Sequence, residues 1–143
     1  MQLLEIAFRP KSIAPMQTKS ESMISKVAGV EGDFRGKPGK RQVTVMSIEQ
    51  WKLACDAVDT ILPWTVRRAN LLVDGVNFDP SMVGQQIKIG HCILYVTGET
   101  DPCPKMDAQH QGLTQALTPD WRGGVCCRVI ADGRIRVGDK MVI

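Results

Sequence analysis

The sequence has few of the residues from which metal sites and hydrolytic triads are built. Its 143 residues include only two histidines, His91 and His110, and neither Cys-x-x-Cys nor His-x-x-x-His occurs. These absences argue against a structural zinc site. No Ser-His-Asp spacing is visible, so a hydrolase triad has little support. Both histidines are expected to be hydrogen-bonded structural residues.

Long apolar runs and a large excess of charge are also missing. No apolar run approaches the length of a membrane-spanning helix, and the N-terminus has no basic region before a short apolar run. The net charge of +3 is too small for a dedicated nucleic-acid surface but is compatible with a local site for an anion. We therefore expect a single domain over residues 1–143, without a membrane or nucleic-acid partner.

The cysteines do not form a framework. There are five, an odd number without repeated spacing, which argues against disulfides and suits the reducing cytoplasm. Cys55 falls on the apolar face of a predicted helix and is expected to pack in the core. Cys126 and Cys127 are neighbours in a predicted strand, so they point to opposite faces and cannot serve one site from one side. Cys103 therefore remains as the candidate for a reactive thiol.

Short β-branched stretches closed by glycine turns recur along the chain. They include "LLEIAF", "QVTVMS", "NLLVDG", "QQIKIG", "CILYVTG", "GVCCRVIA", "RIRV" and "KMVI". Residues 9–26 have no period and are predicted to be a connection, whereas Asp132-Gly133 predicts a hairpin. Because no βαβ alternation is visible, we predict a mostly β (α+β) fold, a closed or partly closed β-barrel with two or more short helices.

Two of these helices can be placed in the sequence. The first begins at Ser47, which forms a capping-box pattern with Gln50, and ends near Asp59. The second covers 106–118, where apolar side chains share a face, and Pro119 stops it. The functional residues are therefore expected in the loops around a β framework.

The stretch "TGETDPCPKMD" places Cys103 between two prolines. Proline fixes φ and removes a backbone donor, so the thiol is held on a stiff, non-helical loop. Lys105 and the start of the second helix favour a thiolate, whereas Glu99 and Asp101 oppose it. The residues alone leave a reactive thiol and a packed loop residue equally open.

Two other stretches, "EGDFRGKPGKR" and "VRRAN", concentrate cations. Glycine-rich loops bring backbone N–H groups close to a phosphate, and arginine matches its oxygens with a planar fork. Arg68, just before a strand and beside Asn70, is the stronger candidate, whereas any single lysine is expected to be a solvated surface charge. The cations of the two stretches are Arg35, Lys37, Lys40, Arg41, Arg67 and Arg68.

Five segments in this order resemble a stand-alone MOSC domain, the module named for the C-terminal part of eukaryotic molybdenum-cofactor sulfurase. They are "GVEGDFRG", "RRANLLVDG", "VGQQIKIG", "LYVTGETDPCPKM" and "GGVCCRVIADGRIRVGDKMVI", and the resemblance runs from about Ile6 to Ile143. It implies a mostly β fold and either binding of molybdenum cofactor (molybdopterin) or handling of its sulfur. Cys103 matches the family's cysteine, which ligates molybdenum in reductases of N-hydroxylated compounds, and Arg68 and Asn70 match their Arg-x-Asn element.

The chain also departs from the family. Ala69 stands where one bacterial branch has glutamate, and Arg35 stands where that branch often has histidine. The chain lacks the pyridoxal-phosphate-dependent desulfurase domain of the sulfurase, so pyridoxal phosphate is only a family association. It also lacks the extra N-terminal β domain of the reductases. A sulfur or electron donor would therefore be a separate partner, a cysteine desulfurase or a redox protein.

Three functions follow as hypotheses. In the first, the chain binds molybdenum cofactor or carries its sulfur, with Cys103 as catalytic residue and molybdenum ligand. In the second it is a molybdenum-dependent reductase that detoxifies N-hydroxylated compounds with a separate electron donor. In the third it binds another phosphorylated ligand without catalysis, and Cys103 is structural. The first two require Cys103 and Arg68 in one pocket. The expected cofactor-binding residues are Arg68, Asn70, Arg35, Arg41 and Arg122.

Overall fold

The computed structural model describes residues 1–143, most of whose regular structure is β-strand. The strands are β1 (Leu3–Phe8), β2 (Gln17–Lys19), β3 (Glu21–Ser25), β4 (Gly29–Val30), β5 (Val43–Ser47), β6 (Leu71–Val73), β7 (Gln86–Ile89), β8 (Cys92–Glu99), β9 (Val125–Ala131), β10 (Gly133–Arg136) and β11 (Met141–Val142). The α-helices are α1 (Ile48–Ala57) and α2 (Leu113–Leu117), and 3-10 helices occur at Trp64–Arg67, Pro80–Met82, Pro104–Ala108 and Pro119–Trp121. The prediction of a mostly β α+β fold with short helices is confirmed. None of the helices is long and apolar enough to cross a bilayer.

The strands form two sheets and no closed barrel. Eight strands are ordered β11-β7-β8-β9-β5-β6-β1-β2, and three are ordered β10-β3-β4. Most neighbours are antiparallel, but β5 and β6 run parallel. Strand β11 pairs with β7, and the chain around it meets the N-terminus at an isolated bridge between Gln2 and Lys140. Backbone hydrogen bonds from Leu3 to Asp139, from Gly138 to Leu3 and from Met141 to Met1 accompany that bridge. These contacts do not form a ladder, so the closed form of the predicted barrel is not observed.

Two predictions about strands were wrong. Residues 9–26, predicted as a connection, contain β2 and β3, whose alternating burial was obscured because the buried face includes the polar Ser22. The turn at Asp132-Gly133 does not form a hairpin, since β10 pairs with β3. The Asp132 carboxylate instead accepts a hydrogen bond from the Lys26 N–H at 2.7 Å. The turn therefore carries the chain from one sheet to the other.

The first predicted helix is confirmed and the second is broken. The Ser47 hydroxyl accepts a hydrogen bond from the Gln50 N–H at 3.3 Å and caps α1, which ends at Ala57. Gly112 has φ +86°, in the left-handed region, and separates the 3-10 turn at Pro104–Ala108 from the short α2. Gly112 interrupts the helix because a left-handed residue cannot continue it.

Two apolar clusters lie on either side of the large sheet and hold the loops in place. The larger cluster is formed by strand residues such as Ile87, Leu94 and Cys127. The smaller one joins α1 and α2 to the sheet through Trp51 and Met106. Met106 is buried at the end of the segment that carries Cys103, so packing of the smaller cluster fixes the loop that bears the candidate thiol.

Candidate functional site

Four loops meet at a cavity of about 130 Å³, which we call the cationic cavity. They follow β1, β4, the 3-10 helix Trp64–Arg67 and β8. The cavity has the volume of roughly four water molecules at about 30 Å³ each. Six cationic and two acidic side chains line it. The complete lining is Arg9, Asp33, Arg35, Arg41, Thr44, Arg67, Arg68, Ala69, Asn70, Thr100, Asp101, Cys103, Lys105 and Met106.

Five of the six residues singled out from the sequence line this cavity. Cys103, Arg68, Asn70, Arg35 and Arg41 come from three separate loops and converge on it.

Arg122 is placed elsewhere. Its Nη1 donates to the carbonyl of Ala116 at 3.1 Å, and its Nε is buried without a partner. Arg122 therefore binds a free carbonyl of α2 and does not line the cavity, contrary to its expected place among the cofactor-binding residues.

Cys103 is an exposed thiol on an anchored backbone. Its carbonyl accepts hydrogen bonds from the Met106 N–H at 2.9 Å and from the Thr114 hydroxyl at 3.1 Å. Its Sγ makes no hydrogen bond. Burial raises the pKa of the Cys92 thiol to about 12 and raises the pKa of the Cys127 thiol further. Cys103, by contrast, is exposed to solvent in a lining that is mostly cationic.

The two carboxylates before Cys103 interact with each other. Burial raises the pKa of Glu99, and the charge of Asp101 and a hydrogen bond that the Glu99 carboxyl donates to Asp101 act in the same direction. Asp101 lines the cavity, whereas Glu99 does not. Of the two carboxylates, Asp101 is therefore the one that shares the cavity with the thiol.

Arg68 and Asn70 lie two positions apart but differ in exposure and in their hydrogen bonds. Arg68 has φ +61° and ψ +28°, a left-handed conformation that is uncommon for a residue other than glycine. Its exposed guanidinium makes no hydrogen bond within the chain. Asn70 is buried, and its Oδ1 accepts from the Thr44 N–H at 3.0 Å while its Nδ2 donates to the Ala7 carbonyl at 3.2 Å. Asn70 thus positions the strands below the cavity, and Arg68 is free to meet a ligand.

The basic loop, residues 31–41, is organised by an acid and a glycine. Asp33 accepts hydrogen bonds from the Arg9 N–H at 3.0 Å and from the Arg35 N–H at 3.2 Å. A Cβ on Gly36 would lie 1.6 Å from the Ala28 carbonyl oxygen, so only glycine fits there. Arg35 and Arg41 are therefore carried by a packed loop.

Sequence reasoning missed Arg9 altogether, and it named Arg67 among the cations without predicting that its side chain is buried. Burial lowers the pKa of Arg9, and the nearby charges of Arg68 and Arg35 act in the same direction. Arg9 fell in the segment predicted to be a connection. Arg67 belongs to "VRRAN", but nothing in that stretch indicates that the first arginine points inward and the second outward. Only the left-handed backbone at Arg68 distinguishes the buried Arg67 from the exposed Arg68.

Arg67 forms the floor of the cationic cavity, with 6% of its surface exposed. Its Nη2 donates to the carbonyls of Thr100 at 3.0 Å and Gly123 at 3.2 Å, while its Nε has no partner. Burial lowers the pKa of Arg67 and the charge of Arg41 acts in the same direction, whereas Cys126, Cys103 and Asp101 partly oppose the shift. An arginine keeps its proton even so, and its positive charge lies beside the cysteine loop, residues 100–106.

The cations of the cavity have no ionic partners within the chain. The protein's two ion pairs join Arg134 and Arg136 to Glu21, in the smaller sheet. No group of three or more His, Cys, Asp or Glu side chains is arranged to hold a metal ion. The cavity therefore combines an exposed thiol with an uncompensated positive charge, which suits an anion bound next to a soft sulfur.

Comparison with known proteins identifies the family. The model of the MOSC domain family matches residues 27–142. Among solved structures, YuaD from Bacillus subtilis superposes with a TM-score of 0.79 at 18% identity, over 98% of this chain and 93% of that one. YiiM from Geobacillus stearothermophilus gives 0.79 at 18% identity, over 99% of this chain and 73% of that one. YiiM from Escherichia coli gives 0.72 at 18% identity, over 100% and 70%.

These identities are low enough that the structural likeness shows a shared fold only. A search of curated proteins found no match. The family model, however, covers most of the sequence, including every residue that lines the cavity except Arg9. The chain therefore belongs to the MOSC domain family.

Proposed function

We propose that the chain binds molybdenum cofactor or carries its sulfur, with Cys103 as the reacting residue. The observation that carries the proposal is the convergence of Cys103 with the arginines in one cavity. A thiolate is a soft ligand that suits molybdenum or a sulfane sulfur, and guanidinium groups suit a phosphate. The two functions share this donor set, because each brings an anionic group to the same thiol.

The residues present fit the cofactor in chemistry. Arg68, Arg35 and Arg41 are exposed cations that line the same cavity as the thiol and would hold an anionic group. The Asn70 amide also lines the cavity and is hydrogen-bonded to the protein. The cavity is open to solvent, so its volume of about 130 Å³ does not limit the size of a ligand that reaches it through its mouth. A bound cofactor would supply the redox chemistry of molybdenum.

Sulfur carrying requires one thiol exchange that balances without an oxidant. The Cys103 thiolate attacks the terminal sulfur of a persulfide on a cysteine desulfurase. A new S–S bond forms at Cys103, the S–S bond of the donor breaks, and the donor cysteine leaves as a thiolate. The cationic side chains of the cavity attract the anionic persulfide of the donor toward Cys103.

The placement of the thiol also bears on the alternatives. An anion-binding module with a structural Cys103 requires neither exposure of the thiol nor its position beside Arg68. The exposed Sγ in the same cavity therefore favours a role for the thiol in the site's chemistry. A reductase would use the same residues and differs only in requiring turnover with an electron donor.

The proposal is tested with purified protein. The reduced chain is mixed with a cysteine desulfurase and cysteine, and separately with isolated molybdenum cofactor under anaerobic conditions. Mass spectrometry then locates added sulfur, and the fluorescence of the oxidised pterin measures bound cofactor. Cys103→Ala should lose the added sulfur, whereas Cys55→Ala, which changes a buried thiol of α1, should keep it.

A second pair of variants addresses the cations. Arg68→Ala should weaken cofactor binding about tenfold or more, in line with loss of a charge-assisted hydrogen bond. Arg128→Ala removes an arginine outside the cavity, stacked on Tyr95, and should leave binding unchanged. If wild-type protein neither gains sulfur at Cys103 nor retains cofactor, the proposal is wrong.

A further inference from the structure

A second concave surface lies over the large sheet, and we call it the sheet groove. Its volume is about 730 Å³, and it is lined by Lys26, by residues 38–40 of the basic loop and by side chains of β8 and β9. It has no lining residue in common with the cationic cavity. The sheet groove is therefore a separate feature of the surface, which the proposed function leaves unused.

The strands beneath the groove present one face to solvent. Alternate residues of β7 and β8 are buried, whereas the intervening Lys88 is exposed and the intervening Ile93 and Tyr95 are half-buried. On β9, the exposed Arg128 lies opposite Tyr95. An open sheet face places side chains from neighbouring strands side by side, so it suits an extended segment of chain better than a compact ligand.

The lining of the groove carries positive charge and no carboxylate. Its cations are Lys26, Lys40 and Arg128, and none of them belongs to either ion pair of the protein. Asp132, whose carboxylate accepts the Lys26 N–H, lies outside the lining. Three unpaired cations along one groove attract a segment that carries several carboxylates.

A buried glutamine fixes the walls of the groove relative to one another. The Nε2 of Gln42 donates to the carbonyls of Lys26 at 2.8 Å and Gly36 at 3.0 Å. Its Oε1 accepts from the Val129 N–H at 2.9 Å. One side chain thus joins the segment after β3, the basic loop and β9, so the cations stand on a frame that is formed before any partner binds.

Arg128 and Tyr95 give the groove a place for a carboxylate. The guanidinium carbon of Arg128 lies 5.0 Å from the centre of the Tyr95 ring, and its N–H groups make no hydrogen bond within the chain. Stacking of this kind holds a guanidinium in place and leaves its donors free for a carboxylate. The Thr97 hydroxyl donates to the Lys40 carbonyl and fixes the basic loop against β8, while the exposed Val83 adds apolar surface.

We propose that the sheet groove docks an extended acidic segment of a partner protein. The basic loop connects the two sites, since Arg35 and Arg41 line the cationic cavity and residues 38–40 line the groove. A partner docked here contacts the loop that leads to Cys103, which suits the protein that donates sulfur or electrons. Only this identification of the partner rests on the proposed function, because the groove needs neither cofactor nor thiol.

The probe is a fluorescein-labelled peptide of about ten residues in which glutamate alternates with threonine, a length that one extended strand can have. It is titrated into the full chain at low ionic strength and followed by fluorescence anisotropy. Lys40→Glu and Arg128→Glu should each weaken binding about threefold to tenfold, because each replaces attraction by repulsion. Lys52→Glu makes the same change of charge at an exposed position of α1, outside the groove, and should leave binding unchanged.

Nitrogen-15 NMR of the wild-type protein provides a readout that does not depend on whether the variants fold. The backbone N–H resonances of Lys40 and Arg128 should shift as the peptide saturates, whereas those of Arg68 and Cys103 should not. Absence of binding, shifts at the cationic cavity in place of the groove, or equal weakening by Lys52→Glu overturns the docking site. Tighter binding of a thymidine oligonucleotide of equal charge would assign the groove to nucleic acid and overturns it as well.

Cys103→Ala separates the docking site from the proposed function. The variant should bind the peptide as the wild type does, since the groove contains no thiol. If the peptide binds in the groove while Cys103 gains no sulfur and no cofactor is retained, the docking site stands and the proposed function fails. If sulfur or cofactor is bound but the peptide is not, the docking site is wrong and the proposed function stands.

Discussion

Asn70 lines the cavity and also holds two strands together. Its amide oxygen accepts from the N–H and the hydroxyl of Thr44, and its amide nitrogen donates to Ala7. It thereby joins β5 to β1. The second N–H of its amide nitrogen has no partner within the chain, so direct contact of Asn70 with a cofactor stays a prediction.

Removal of this amide should therefore affect stability first. Asn70→Ala leaves buried backbone groups without partners and should lower the free energy of unfolding by about 1–3 kcal/mol. Asn77→Ala, at an exposed position of the same chain, should change it by less than about 0.5 kcal/mol. Urea denaturation measures both. A fully stable Asn70→Ala protein with weakened cofactor binding would show instead that Asn70 contacts the ligand.

The five cysteines also differ in how far their thiols are exposed to solvent. Cys103 is exposed and the other four cysteines are buried, with the pKa of Cys92 raised to about 12 by burial. A raised thiol pKa means that the thiolate is scarce in the folded state until the pH approaches that value. At pH 8, iodoacetamide should therefore modify native protein at Cys103 alone.

Peptide mass mapping after brief alkylation checks this, with urea-unfolded protein as the reference in which all five cysteines react. Cys103→Ser should leave the native protein unmodified. Modification of Cys92 or Cys127 at a rate similar to that of Cys103 would contradict the burial that the structure assigns to them.

Among the elements, α1 connects the sheet to the segment after β6 through its first turn. Burial favours the neutral form of the Glu49 carboxyl, but hydrogen bonds from the N–H groups of Gly75 and Glu49 and from the Ser47 hydroxyl outweigh it and hold the pKa of Glu49 below its usual value. The Gly75 N–H lies 3.1 Å from both carboxylate oxygens. The negative charge also lies at the favourable end of the helix dipole.

This arrangement makes part of the stability dependent on pH. A carboxyl whose folded pKa is lowered contributes fully above its unfolded pKa of about 4.3 and loses that contribution as the pH falls through the folded value. Between about pH 5 and pH 3, the free energy of unfolding of the wild type should therefore fall more steeply than that of Glu49→Gln. Glu31→Gln is the control, because the Glu31 carboxylate accepts no hydrogen bond. Equal dependence of the free energy of unfolding on pH in the wild type and Glu49→Gln would contradict the account.

The loops that bring the site together are less visible in the sequence than the strands and α1. Alternation and capping predicted β1, β5, β8 and α1, because these elements depend on local patterns. The partner of β10 and the inward turn of Arg67 depend on contacts between distant segments, which local periodicity does not encode. Gly112 interrupts the second helix because its backbone is left-handed. The neighbouring sequence did not predict that conformation.

Across the whole molecule, the convergence of the cysteine loop and the cationic loops could be expected only from the family resemblance. Composition and spacing left Cys103 equally open as a reactive or a packed residue. The folded chain gives it a solvent-exposed position in a cavity where cations outnumber carboxylates, because the loops after β8, β4 and the 3-10 helix Trp64–Arg67 converge there. The site is thus a product of topology, and no single motif contains it.

The molybdenum and pterin content of protein purified anaerobically from a host that makes the cofactor tests the central claim most directly. Wild type and Arg128→Ala should retain both components in equal amounts, whereas Cys103→Ala should lose molybdenum and Arg68→Ala should lose both. Equal retention by all four proteins, or no molybdenum in any of them together with no sulfur on Cys103, would contradict the assignment of this cavity to molybdenum cofactor or its sulfur.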